Sequence, residues 1–200
     1  MKRFVDLLLM ALATPIILPI LLMTAIAVRL SLGSPVFFRQ IRGGYQGKAF
    51  SLWKFRSMTD ARDDHGALLA DAQRLTPFGQ FLRASSLDEL PCLWNLLKGD
   101  ITLVGPRPFI ADYLPLYDAG QFRRHDVRPG ITGWAQVTGR NALSWEEKFA
   151  ADVWYVDHQS LWLDFKILLL TARAVFVRSG VNAEGAATMP RFTGTKRDAH

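Results

Sequence analysis

Between Leu7 and Val28 every residue is apolar or small apart from the hydroxyls of Thr14 and Thr24. As a helix this stretch would run about 33 Å, enough to cross a bilayer. Pro15 and Pro19 fall in its middle. Each lacks an N–H and presses its ring on the carbonyl one turn earlier, so the pattern predicts a break near the midpoint. Two short runs of strand character, residues 36–40 and 49–56, flank the Gly-rich Arg42-Gly43-Gly44-Tyr45-Gln46-Gly47 and predict a hairpin. Helices are expected over residues 77–83, 94–97, 113–122, 144–157 and 161–178, and a strand over 131–137. The charged stretch 60–66 reads as an exposed loop, and Gly105-Pro106-Arg107-Pro108 is too stiff to be regular helix. The fold class that follows is α+β: a small mixed helix/strand domain over 33–200 behind a membrane segment over 1–32.

Charge flanking the apolar run bears on topology. Lys2 and Arg3 precede it, and Arg29, Arg39, Arg42 and Lys48 follow it, so both ends carry the positive charge expected on the cytoplasmic side. A straight span would place one basic end outside. A helix broken near Pro19 could enter, turn and leave on one face, so a re-entrant helix is expected in preference to a bitopic anchor. Ala25-Ile26-Ala27 resembles a signal-peptidase site, but the run is long, prolines interrupt it, and no secreted-type cysteine framework follows. Near the other end, Trp145, Trp154, Tyr155 and Trp162 lie close to Lys148, His158 and Lys166. In a soluble protein such residues would be core; beside a membrane segment they predict amphipathic interfacial helices.

Composition narrows the class. A chain of 200 residues with 50% apolar content can bury one substantial core. Twenty-four Lys and Arg against 18 Asp and Glu suit an anionic partner, whether nucleic acid, phospholipid or a phosphorylated substrate. The single cysteine, Cys92, excludes an internal disulfide and a thiolate zinc cage, which fits a reducing compartment.

Candidate chemistry centres on Asp88 and Glu89, adjacent carboxylates at an expected helix start, with Ser86 spaced for a capping box with Glu89. Acidic residues there are favourable without any chemistry. Neighbouring carboxylates cannot flank a glycosidic bond as a hydrolase pair does. They can divide labour, one attacking phosphorus while the other helps hold Mg²⁺. Arg83 precedes the pair, Arg107 sits in a stiff Pro-Arg-Pro loop, Arg128 and Arg140 sit in turns, and Lys54 and Arg56 lie on an expected strand. Rigidly held guanidinium groups make good phosphate forks, whereas solvated surface charges need no fixed backbone.

The runs Lys54-Phe55-Arg56-Ser57-Met58, Ser86-Leu87-Asp88-Glu89-Leu90-Pro91, Asn95-Leu96-Leu97-Lys98-Gly99-Asp100, Val104-Gly105-Pro106-Arg107-Pro108 and Arg128-Pro129-Gly130-Ile131-Thr132-Gly133 resemble, in order and spacing, the bacterial sugar transferase family of monotopic phosphoglycosyl transferases. The end of the chain, from Ser179-Gly180-Val181 through Glu184-Gly185 to Phe192-Thr193-Gly194, is similar to the bacillosamine phosphotransferases of N-glycan assembly. The resemblance implies that Asp88 attacks the sugar-bearing phosphate of a UDP-sugar, expelling UMP, and that polyprenyl phosphate then takes the phosphosugar. It implies a magnesium-associated role for Glu89 and places Arg83, Arg107 and Arg140 near the phosphates, with Lys54 as a further phosphate ligand and Mg²⁺ as the cofactor shared by Asp88 and Glu89. A bacterial inner membrane with the site on the cytoplasmic face, and a UDP-linked N-acetylated sugar such as diacetylbacillosamine, are expected on the same ground. Family members break the re-entrant helix at a Ser-Pro pair. Here Leu18-Pro19 stands in that place, and Thr14-Pro15 one turn earlier could supply a hydroxyl to a freed carbonyl. Partners expected are the UDP-sugar, polyprenyl phosphate and the phospholipid bilayer, with no nucleic acid, since no helix-turn-helix or RNP-like motif is present. Two alternatives are a membrane-anchored basic binding protein without chemistry and a Mg²⁺-dependent nucleotide-sugar hydrolase.

Overall fold

The computed structural model describes residues 1–139, 142–177 and 191–194. In chain order the elements are helix α1 (Lys2–Leu32), strands β1 (Phe37–Gly43) and β2 (Ala49–Phe55), helices α2 (Asp71–Arg74) and α3 (Pro77–Ala84), a 3₁₀ turn Leu87–Cys92, and helix α4 (Leu93–Lys98). Strand β3 (Thr102–Val104), a 3₁₀ turn Ala111–Leu116, helix α5 (Ala119–Phe122), a 3₁₀ turn Arg123–His125, strand β4 (Gly130–Thr132) and helices α6 (Trp134–Thr138), α7 (Trp145–His158) and α8 (Leu161–Val177) follow. This is the mixed helix and strand class expected. The chain divides into two compact units. One comprises Met1, Arg3–Arg39 and Trp53–Asn95, and the other Lys2, Gln40–Leu52 and the chain from Leu96 onward.

In the first unit α1 is the sole helix among the described residues of a length and composition to cross a membrane. Phe4, Leu12, Ile16, Met23, Ile26 and Leu30 are exposed along it. One face of its last turns is buried: Val28 and Leu32 join Phe55 and Leu82 in a cluster against which Leu21, Ala25, Phe78 and Leu87 pack. The prolines do not end the helix: helical structure runs without interruption through Pro15 and Pro19, where each ring removes one main-chain bond and favours a bend. Nor does the Thr14 hydroxyl serve the carbonyl that Pro15 frees. It donates to the Met10 carbonyl at 2.8 Å, one position earlier, and Thr24 bonds Ile20 in the same way at 2.7 Å.

The hairpin forms as expected, with β1 running to Gly43, three residues beyond the expected run. In the second unit two expected elements are corrected. Residues 113–122 are not one helix: Pro115 lies in a 3₁₀ turn, Tyr117 is extended, and Asp118 caps α5 through a reciprocal capping box with Gln121. The expected strand over 131–137 stops at Thr132, and Trp134 begins α6. β4 pairs in parallel with β3, Thr102 against Gly130 and Val104 against Thr132. The second unit holds a core of Val104, Tyr155, Leu163 and Ile167 and an aromatic group of Tyr113, Phe149 and Phe192 with Phe109, Tyr117 and Trp145 around it.

At the start of α1 the Lys2 ammonium, itself counted with the second unit, donates to the Val104 carbonyl at 2.8 Å and to the Tyr155 hydroxyl at 2.9 Å, and pairs with the Asp164 carboxylate. Tyr155 in turn donates to Asp164 at 2.6 Å. A buried carboxylate and phenol thus find a cation 162 residues away.

His125 gives this unit a pH dependence. Its Nδ1 lies 2.8 Å from the Gly44 carbonyl, and its buried Nε2 has no partner among the described residues. Burial and, second, the Arg124 charge push its pKa from 6.5 down to about 4, against the bond to Gly44 and the charge of Asp126. The folded state therefore holds the neutral ring, and the unfolded chain takes up the proton first as pH falls. Stability from this group is complete above pH 6.5 and is lost on the way to pH 4, about 2–3 kcal/mol of it by pH 4.5. We expect His125→Asn to lose less stability than the wild type between pH 7 and 4.5 in denaturant titrations. Equal losses would mean that other groups carry the acid sensitivity.

Candidate active site

Asp88 and Glu89 sit in the 3₁₀ turn that follows α3, and the residue that turns the chain into it is Ser86, at φ 58° and ψ 16°. A left-handed serine costs about 1–2 kcal/mol and is tolerated where the surroundings demand it. The expected capping box is absent: the Ser86 side chain makes no cap bond, and the contact that forms is between main chains, Glu89 N to the Ser86 carbonyl at 3.2 Å. An N-cap residue takes extended backbone, which the left-handed Ser86 does not.

Lys54 reaches the two carboxylates from β2. Its ammonium donates to Glu89 Oε1 at 2.7 Å and lies 3.9 Å from Asp88 Oδ2, with side-chain exposures of 15%, 22% and 11% for Lys54, Glu89 and Asp88. The cation offsets the repulsion between adjacent carboxylates largely withdrawn from water. Asn95, wholly buried on α4, fixes this strand. Its Oδ1 accepts from the main-chain N–H of Trp53 at 3.0 Å, next to Lys54.

Arg83 lies in the same unit, near the end of α3. Its Nε donates to the Ser57 hydroxyl at 3.0 Å. One turn before it is Gly79, where a Cβ would stand 1.9 Å from the Ser57 carbonyl oxygen, so helix and chain touch at a point that only glycine allows. Arg56, by contrast, is consumed by structure: it bonds the Met58 and Ser34 carbonyls and pairs with Asp60 at 3.4 Å.

Arg107 belongs to the second unit. The Gly105-Pro106-Arg107-Pro108 loop and the Arg128-Pro129-Gly130-Ile131-Thr132-Gly133 run, separate in sequence, are pressed together there. Gly130 donates to the Pro106 carbonyl at 3.0 Å and Gly105 to the Thr132 carbonyl at 2.9 Å. A Cβ on Gly105 or Gly130 would fall 2.4 Å or 2.1 Å from the opposite main chain. Arg128 bonds the Gly99 carbonyl at 3.0 Å and lies over the Tyr45 ring. Lys148, buried on α7 beside Trp145, has its pKa lowered by burial first and by the Arg107 charge second, with Asp152 opposing. The structure thus brings Lys54, Asp88 and Glu89 together with Arg83 in their unit and puts Arg107 with Lys148 in the other. Arg140 lies outside the described residues, as do residues 179–190 of the C-terminal likeness. Sequence reasoning missed Ser57, Asn95 and Lys148 as neighbours of these groups. The first two lie inside the quoted motif runs, and that was the available signal.

The model of the bacterial sugar transferase family matches residues 1–178. The chain belongs to that family. It is 59% identical over 176 residues to an uncharacterized sugar transferase, EpsL, of Bacillus subtilis, covering 88% of this chain and 87% of that protein. It is 45% identical to a UDP-glucose:undecaprenyl-phosphate glucose-1-phosphate transferase of Xanthomonas campestris and 38% identical to a UDP-N-acetylgalactosamine-undecaprenyl-phosphate N-acetylgalactosaminephosphotransferase of Aeromonas hydrophila. Those matches cover 77% and 90% of this chain but only 34% and 44% of the two relatives.

The contact at Gly79 is testable because two effects oppose each other. Alanine favours a helix over glycine by about 1 kcal/mol, while forcing a methyl into packed main chain costs about 1–3 kcal/mol. With the overlap at 1.9 Å, Gly79→Ala is expected to lower the denaturant midpoint. A raised midpoint would show that α3 is free to move off Ser57.

Proposed function

We propose that the chain transfers a sugar phosphate from a UDP-sugar to polyprenyl phosphate, at the cytoplasmic face of a bacterial inner membrane. The observation that carries this reading is the pair of a buried Asp88 and a half-buried Glu89 sharing the Lys54 ammonium in a chain of this family. A carboxylate oxygen of Asp88 attacks the sugar-bearing phosphorus, and the bond to the bridging oxygen of the diphosphate breaks. UMP leaves with that oxygen, and the phosphosugar stays on the enzyme as an acyl phosphate. A phosphate oxygen of the polyprenyl phosphate then attacks the same phosphorus, the carboxylate of Asp88 leaves, and the sugar ends on a polyprenyl diphosphate. Lys54 and Arg83 are read as cations for the diphosphate, and Arg107, counted with the other unit, is read separately as a phosphate fork.

Magnesium suits this site. Among the described residues no group of three or more His, Cys, Asp or Glu is placed to hold a metal ion, and Mg²⁺ is commonly held by one or two carboxylates together with water and substrate phosphate. Glu89 and Asp88 would hold it, and the ion would neutralise charge on the diphosphate. For the sugar, the C-terminal likeness favours an N-acetylated donor such as UDP-diacetylbacillosamine, while the two relatives are named for glucose and N-acetylgalactosamine.

Release of UMP from each of these UDP-sugars, measured with and without undecaprenyl phosphate, tests the reaction. We expect one donor to give lipid-dependent turnover and Asp88→Asn to abolish it, since an amide keeps the shape but forms no acyl phosphate. Sustained release of free sugar phosphate without lipid would mean a hydrolase, and activity in Asp88→Asn would move the nucleophile elsewhere.

We also infer that α1 enters and leaves on one face. Lys2 and Arg3 before the apolar run and Arg29, Arg39 and Arg42 after it support this reading, which requires α1 to bend within the membrane where Pro15 and Pro19 each remove a main-chain bond. With Cys92 replaced, cysteines placed ahead of Met1 and at Ser31 should both be shielded from an impermeant thiol reagent in intact cells and both react once the inner membrane is opened. Labelling of one alone in intact cells would establish a span.

A further inference from the structure

Arg123, Arg124 and His125 form one short turn, yet their surroundings differ sharply. The Arg123 side chain is 47% exposed and pairs with Asp157 at the surface, while that of Arg124 is 1% exposed and its partner Asp152 2%. Arg124 Nε and Nη2 donate to Asp152 Oδ2 at 3.1 and 2.6 Å, and Nη1 to the Tyr117 hydroxyl at 3.3 Å. The guanidinium lies 4.2 Å from the Phe109 ring centre, with Phe149 and Tyr117 on its other sides. Nη2 makes one more bond, to the main-chain carbonyl of Arg107 at 2.6 Å.

As a stabiliser this arrangement is poorly chosen. Two charges are taken out of water, and apolar residues of similar volume often fill such a place equally well or better. What apolar residues would lack is a donor for the carbonyl of residue 107. Pro106 and Pro108 flank that residue, and proline fixes φ and removes an N–H from the local main chain. The peptide that carries Arg107 is thereby oriented from outside its own loop.

We propose that Arg124, held by Asp152, is a positioning residue for Arg107, fixing the main chain from which that guanidinium is presented to the diphosphate of the nucleotide sugar. The proposal rests on reading Arg107 as a phosphate fork. A fork binds two oxygens only when its plane is set correctly, and a misplacement of about 1 Å in such a group can cost on the order of a hundredfold.

The test is a mutant cycle on the full chain in lipid nanodiscs, reading the Kd for UDP by calorimetry in magnesium buffer and the melting temperature. Arg124→Met combined with Asp152→Leu removes both charges together. We expect this variant to melt at or above the wild-type temperature and to bind UDP at least about tenfold more weakly. Added to Arg107→Ala, the same two changes should weaken binding by less than about twofold, because the group they act through is gone. Wild-type UDP affinity in the apolar variant, or losses that multiply in the combined one, would overturn the proposal. Wild-type affinity in Arg107→Ala alone would instead overturn the reading of Arg107 as the fork. If the apolar pair does not fold, Arg124→Lys decides by the same cycle. It keeps a cation for Asp152 but not the planar fork that reaches both carboxylate and carbonyl, so weaker binding that vanishes in the Arg107→Ala background supports the proposal, and unaltered binding ends it.

Discussion

A charge withdrawn from water must bring its opposite with it, and in this chain that constraint ties distant segments together. Asp88 and Glu89 are drawn to Lys54 from β2, Asp152 on α7 to Arg124 in a turn, and Asp164 on α8 to Lys2 at the other end of the chain. Removing Arg124 alone would strip the wholly buried Asp152 of its bonded cation, a larger penalty than the pair's own contribution to stability. Such pairs therefore specify which segments meet more than they stabilise the meeting. Each also lies beside one of the motif runs that resemble the family. Lys54 faces the carboxylates themselves, Arg124 bonds the carbonyl of Arg107, and Lys2 bonds the carbonyl of Val104, the residue that leads into the same stiff loop.

What could be read from the sequence was set by how local its cause is. Helices α7 and α8 emerge nearly as expected because their amphipathic or apolar runs are long, and α7 opens on a Ser144–Glu147 capping box written within four residues. The hairpin follows from its glycines. Residues 113–122 mislead because the apolar spacing continues across Pro115 while the real helix start is the cap at Asp118. The strand over 131–137 stops early for a reason found only in space: Gly133 lies where a Cβ would stand 2.2 Å from the Gly105 carbonyl, and the chain turns there into α6. The three-residue β3 is too short to carry a periodic signal, and it exists as the partner of β4.

The site divides in the same way. Asp88, Glu89 and Lys54 could be found because their residue types and motif runs announce them, but the bond that joins Lys54 to Glu89 crosses 35 residues and no local rule predicts it. Asn95 is a buried amide whose meaning depends on Trp53 opposite. Arg124 is harder still. In sequence it stands in the cationic run Arg123-Arg124-His125, and such a run ordinarily means a solvated face. One of its members is solvated; the next is the largest wholly buried side chain among the described residues.

Adjacency of the two carboxylates also limits the chemistry. Successive residues of a 3₁₀ turn point about 120° apart around its axis, so Asp88 and Glu89 cannot face each other across a bond in the manner of glycosidase acids, which must stand on opposite sides of it. They share a cation instead, and unequally: Lys54 bonds Glu89 at 2.7 Å and stands 3.9 Å from Asp88. On the proposed reading of Asp88 as nucleophile and Glu89 as the metal-associated carboxylate, one ammonium serves both, bonding the second and lying near the charge of the first. The left-handed Ser86 starts the turn on which the two carboxylates are set at these unequal distances.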